Sequence, residues 1–173
     1  MAGALIKIDE EIVSSAVASV TLGDSDWDSS YDVYIVQITN FAPVNDDVSA
    51  YMRITKSGTA DSTSNYDSAF KIFKANTTFT NNSDTNEDKI NFGNVGTGTS
   101  EGVNATLLLF NFNNTSEYSF ATVESTILNS SQQLNGKQGG FTHTVESASD
   151  GLFFYMASGN IASGRFSLFG LAK

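Results

Sequence analysis

In "GDSDWDSSYD" (23–32), Asp24, Asp26 and Asp28 stand at every second position, a spacing of carboxylates that could serve calcium or open a strand. Calcium takes about six to eight oxygens from a curled loop, and an EF-hand supplies them with a glycine at its sixth position and a bidentate Glu at its twelfth. Counted from Asp24, those positions hold Ser29 and Ile35, so the EF-hand pattern fails. An irregular calcium site on the three aspartates stays open beside the preferred reading, a solvated Asx-type turn leading into a strand at Tyr31. His143, the only histidine, lies between Thr142 and Thr144 in an alternating stretch. Nucleophilic catalysis would need a Ser or Cys and an orienting acid around it, and no G-x-S-x-G elbow is present.

Glu117, Glu124 and Glu146 fall on expected strands, where two carboxylates facing one cleft could cleave a glycosidic bond; the plainer reading is the solvent face of a sheet. "GNVGTGTSEG" has spaced glycines but lacks the lysine of a phosphate loop, and reads as a flexible loop. Trp27, Tyr31, Tyr34 and Tyr66 could form a stacking platform for sugar rings. Trp27 is its best member, because a ring among polar turn residues has the least reason to be buried. Asn-x-Ser/Thr triplets at Asn76, Asn104 and Asn129 are expected by chance in a chain this rich in Asn, Ser and Thr. No residue is assigned a catalytic, cofactor-binding or metal-ligating role, and no cofactor is expected.

The elements that would carry these residues are β-strands. Ser, Thr and Asn abound, Phe occurs 13 times and Pro once, and charged residues make up 16%, a composition suited to pleated, half-buried surfaces. "YDVYIVQITNF" (31–41) is apolar on both alternating faces and reads as a central strand. "VSAYMRIT" (48–55) places Val48, Ala50, Met52 and Ile54 on one face, and "APVNDD" between these strands is a turn signal. Further strands are expected over 11–22, 68–74, 102–112, 117–128, 139–147, 151–158 and 164–171. About nine strands result, with no helix, and residues 77–100 form a long polar surface loop. "SGNIASG" supplies glycines and an Asn for a hairpin turn between the apolar strands "LFFYM" and "RFSLFGL", locking the chain end into the core. The expected fold is all-β: a single antiparallel β-sandwich, jelly-roll-like, with residues 1–15 as an N-terminal arm or first strand and 16–173 as the sandwich domain.

The length of 173 residues suits one domain. A net charge of −10, from 19 acids and 9 bases, argues against nucleic acid or an anionic membrane as partner. Cys is absent, so disulfides and thiolate chemistry are excluded. No secretion signal is read in "MAGALIKIDEEIVSS", and no apolar run approaches the roughly 20 residues of a membrane-spanning helix.

"SSYDVYIVQITNFAPVNDDVSAYMRIT" (29–55) and "GLFFYMASGNIASGRFSLFGL" (151–171) resemble segments of small virion proteins and fibre modules of tailed phages, especially marine ones. The shared features are a Y-D-x-Y strand, a turn with Pro and Asp leading into an M-R strand, and a terminal S-G-N-I-A-S-G-x-F-x-L-x-G-L. The match covers Ser30 to Arg53 and Ser158 to Leu171, under a quarter of the chain. It implies a jelly-roll-like virion structural protein, made in the host cytoplasm: a capsid decoration, head-fibre or tail-fibre component without an active site. Its partners would be itself, as a homotrimer, and another virion protein such as the major capsid or a tail protein, with Ala2 to Ser14 contributing to contacts between chains. The alternative is a carbohydrate-binding module recognising a host cell-surface glycan through Trp27; a polysaccharide hydrolase stands third.

Overall fold

From Ser119 to Leu128 side chains alternate between buried and exposed, the period-two pattern of a strand with one face on a core and one in water. The same rule runs through the computed structural model, which describes residues 3–172. Its strands are β1 (Leu5–Val13), β2 (Ser19–Gly23), β3 (Val33–Pro43), β4 (Val48–Lys56), β5 (Thr59–Ala60), β6 (Tyr66–Lys74), β7 (Thr80–Glu87), β8 (Ile90–Val95), β9 (Gly102–Phe110), β10 (Ser119–Leu128), β11 (Leu134–His143), β12 (Gly151–Met156) and β13 (Ile161–Leu171). The only helical turn among the described residues is a 3-10 turn over Asp24–Asp26, and none of their helices is long and apolar enough to cross a membrane.

The strands form two antiparallel sheets. The larger has eight strands in the order β1-β13-β3-β9-β10-β11-β6-β7; the smaller has five, β2-β12-β4-β5 with β8 also paired to β4. Between them lies one core that includes Tyr34, Phe41, Tyr66, Phe92, Phe112, Phe154 and Phe166, all essentially without exposure. The all-β sandwich class holds, and β3 is central, flanked by β13 and β9.

Several boundaries differ from the sequence reading. The described residues form thirteen strands instead of about nine. Residues 11–22 divide between β1 and β2, which belong to different sheets. Residues 77–100 contain β7 and β8 in place of a long loop. β8 buries Ile90, Phe92 and Val95, whereas β7, "TNNSDTNE", has no apolar residue and is carried by its backbone ladder to β6. The expected C-terminal hairpin is absent: β12 pairs with β2 and β4, and β13 with β1 and β3, so "SGNIASG" is a crossing between sheets. Gly159, at φ +72, supplies the left-handed residue in that crossing.

Of the two readings of residues 1–15, an arm or a first strand, the described part takes the second. β1 runs along β13 in the same chain, Val13 is buried, and Asp9 Oδ2 accepts a hydrogen bond from Gly23 N at 2.8 Å. Ala2, the first residue of the expected inter-chain contact, lies outside the described residues.

Candidate functional site

The aspartate stretch folds as a turn. Asp28 Oδ1 accepts hydrogen bonds from Ser30 N at 3.0 Å and Ser30 Oγ at 2.6 Å, an Asx turn leading toward β3. Among the described residues no three His, Asp or Glu side chains form a group suited to a metal ion.

His143 is fully buried, on the inner face of β11. Its Nε2 lies 3.1 Å from Asp61 Oδ2, which also takes Lys56 Nζ at 3.0 Å. Burial pushes the Asp61 carboxyl up, but hydrogen bonds from Thr63 and Lys56 outweigh this and hold it well below the usual carboxylate range. Burial pushes the His143 imidazole down, with Asp61 opposing in part. The ring is therefore neutral near pH 7 and donates from Nε2; Nδ1 has no hydrogen-bond partner. No hydroxyl among the described residues is hydrogen-bonded to it, and the pair ties β11 to the segment between β5 and β6. Tyr66 joins the strut: it packs on His143 with ring centres 4.8 Å apart and donates to the Asp61 carbonyl at 2.8 Å.

The three glutamates are not brought together as a pair around Glu124. Glu117 lies in the turn before β10, where its Oε2 accepts from Asn111 and Asn114. Glu146 lies in the loop after β11, and Glu124 is exposed on β10, accepting from Gln138 Nε2 at 2.7 Å. Strands for Glu117 and Glu146 were expected, but both stand beyond the ladder between β10 and β11, which starts at Ser119 and His143. Five residues of strand, about 17 Å, separate Ser119 from Glu124.

The expected aromatic platform is also taken apart by packing. Tyr34 and Tyr66 are core residues. Trp27 is half-buried against Tyr34 and Phe112, with centroid distances of 4.1 and 5.8 Å, and its Nε1 donates to Asn113 Oδ1 at 2.9 Å. A different ring group faces outward on the smaller sheet. Tyr155 stands 5.4 Å from Tyr51 and 5.5 Å from Phe153, with the Arg53 guanidinium 5.0 Å from the Tyr155 ring centre. The alternation in "LFFYM" carried that signal.

The outer face of the eight-stranded sheet is ordered by its strand register. Opposed residues of antiparallel strands share a face, so the register defines rows across the sheet. One row runs Lys7, Phe169, Ile35, Leu108, Thr122, Gly140, Ala69, Ser83. The row above it contains Leu5 opposite Leu171, and Val33, Phe110, Phe120 and Thr142. Both rows are mainly apolar, with Leu5 49%, Phe120 44% and Leu171 39% exposed. The next row, Glu10, Ser167, Gln37, Thr106, Glu124, Gln138, Lys71, Asn81, is entirely polar. Here Glu10 takes the Arg165 guanidinium at 2.7 Å.

Within the row from Lys7 to Ser83 the large apolar side chains sit on β13, β3 and β9, and smaller residues on β10, β11 and β6. A shallow hollow of about 630 Å³ lies on the small side, lined by Ala69, Thr122, Gly140, Phe110 and Phe120 among others. Sequence reasoning missed this face because its rows join residues up to 166 positions apart, as Leu5 of β1 stands opposite Leu171 of β13.

The chain matches no protein-family model, no curated protein and no solved structure.

Proposed function

We propose that this antiparallel sandwich, jelly-roll-like in form, is a non-enzymatic structural protein of a tailed-phage virion, either a capsid decoration, a head-fibre or a tail-fibre component, that works by assembling with copies of itself. The observation carrying this reading is the apolar half of the larger sheet's outer face. Apolar residues of β1, β13, β3, β9 and β10 stand in adjoining rows there, and no strand among the described residues packs over them. Contiguous exposed apolar surface of this kind marks an interaction site. The resemblance of residues 29–55 and 151–171 to virion proteins supports the particle as its setting. The placement of His143 and Glu124 is in keeping with it, since His143 is a buried strut and Glu124 faces solvent between Thr106 and Gln138, with no carboxylate directly opposite it.

Light scattering of the isolated protein, together with its presence in purified particles of the virus that encodes it, tests the reading. An oligomer found in particles is expected. A monomer at high concentration that is also absent from particles overturns it.

Glycan binding is a second reading, favoured by the outward rings Tyr51, Phe153 and Tyr155, which offer a stacking surface that Trp27 does not. Glycan-array binding lost in Tyr155→Ala and kept in Trp27→Ala would establish it.

A further inference from the structure

We propose that two copies of the chain pack their eight-stranded sheets outer face to outer face, about a two-fold axis running along the strands between β9 and β10. This rests on the self-assembly reading above and names its surface and its partner, a second copy.

The edges of the sheet are poor routes to association. β1 has a bulge between Lys7 and Asp9 and carries four charged residues, Lys7, Asp9, Glu10 and Glu11. β7 at the opposite edge is polar throughout. Bulges and charges of this kind block strand addition. The face has no such protection.

The shape of the face selects the symmetry. Phe169, Ile35 and Leu108 form a ridge, while Thr122, Gly140 and Ala69 continue the same row as a hollow. The hollow's floor at Gly140 is a constrained position: a Cβ there would lie 2.6 Å from the Ala121 carbonyl oxygen. A two-fold axis along the strands exchanges β13 with β6, β3 with β11 and β9 with β10, and keeps every row level. Phe169 then meets Ala69 of the second copy, Ile35 meets Gly140, Leu108 meets Thr122 and Phe110 meets Phe120. In the polar row Thr106 meets Glu124, Gln37 meets Gln138 and Ser167 meets Lys71. No like charges oppose one another, which matters in a chain of net charge −10.

A two-fold axis across the strands would instead set ridge on ridge and leave hollow facing hollow. A three-fold ring joins two different patches that face different ways, whereas ridge and hollow lie side by side on one surface. The pair therefore takes the place of the trimer expected from the sequence. Sheet twist confines close contact to the middle six strands. At about 4.8 Å per strand, and about 27 Å over four rows, they present roughly 800 Å² per copy, the area of a standard stable interface.

The absence of cysteine makes single-cysteine variants clean probes. Thr122→Cys, beside the axis, should give a covalent dimer with a bis-maleimide of about 10 Å reach, the spacing of packed sheets. Ser83→Cys, on the same row but at the edge, should not. Ala69→Trp fills the hollow at an exposed position, so it should weaken self-association at least about tenfold while leaving circular dichroism unchanged. Adding Phe169→Ala to Ala69→Trp should restore association. An oligomer, trimer included, that Ala69→Trp leaves intact, or that Ser83→Cys cross-links as readily as Thr122→Cys, overturns this packing while self-assembly stands. A wild-type monomer at high concentration overturns both.

Discussion

Lys137 shows how one residue's environment reverses its usual role. It lies on the inner face of β11, 7% exposed, with its ammonium 4.1 Å from the centre of the Phe70 ring and bonded to the Asn91 carbonyl. Burial pushes its pKa down from 10.5 to about 8, with Asp84 opposing. From about pH 8 the unfolded chain keeps a proton that the folded chain has released, so stability should rise with pH. Near pH 10 the rise should turn over, because burial pushes the Tyr34 and Tyr66 hydroxyls up and the unfolded chain then loses protons first. Lys137→Met should abolish the rise above pH 8. At pH 7 it should stabilise by about 1–2 kcal/mol, since removal of a buried charge outweighs the donor lost to Asn91. Urea midpoints measured from pH 6 to 10 check both effects. A destabilised variant whose midpoint still rises would contradict this account.

His143 belongs to the same scale. Its depressed pKa means that the unfolded chain takes up a proton first as pH falls through 6.5, so the buried ring lowers stability below that pH.

Among the elements, β8 separates burial from composition. Phe92 is 2% exposed, so Phe92→Ala should cost about 3–5 kcal/mol through lost transfer energy and a cavity. Asn81→Ala on β7 should shift stability by no more than about 0.5 kcal/mol, as surface changes do. Equal effects in denaturant melts would mean that the two segments share one environment. β1 carries a different consequence from the one expected of an arm. Deleting residues 3–13 removes the buried Val13, the bond from Gly23 N to Asp9, and the partner of one edge of β13. A loss of roughly 3 kcal/mol would lower the melting temperature by roughly 10 °C in a chain of this size. Calorimetry of dilute protein tests this apart from assembly; an unchanged melt would show that β1 contributes only between copies.

For the whole molecule, the last of the described strands occupies an interior place. β13 lies between β1 and β3, so a chain ending at Ser158 would have an unpaired β1 and a β3 with one edge open. Such a truncation should show no cooperative thermal transition, and a sigmoidal melt near that of the full chain would refute the prediction. Pairing of β1 with β13 also places folding in the slow range of milliseconds to seconds, because distant segments must meet before their contacts repay loop closure.

Local chemistry made part of this protein legible. Alternation in "VYIVQI" and "FATVESTIL", turn residues at regular intervals and the absence of a helical period specify strands and an all-β core. Asp28 followed by Ser30 specifies an Asx turn from its own backbone. These signals are short-range: each depends on neighbours within a few residues. The partners of each strand are not. "LFFYM" and "RFSLFGL" read as a hairpin because both are apolar, yet each pairs within its own sheet, and hydrophobicity alone does not say which. β7 has no apolar side chain to announce it, and only the free edge of β6 makes it a strand. Trp27 looked exposed until Tyr34 and Phe112 were placed against it. The two-sided character of β3 was visible in its residues. That its outer side joins Phe169, Leu108 and Thr122 in one uncovered row was decided by the register of strands far apart in the chain, because side-chain proximity across a sheet depends on pairing and not on sequence distance.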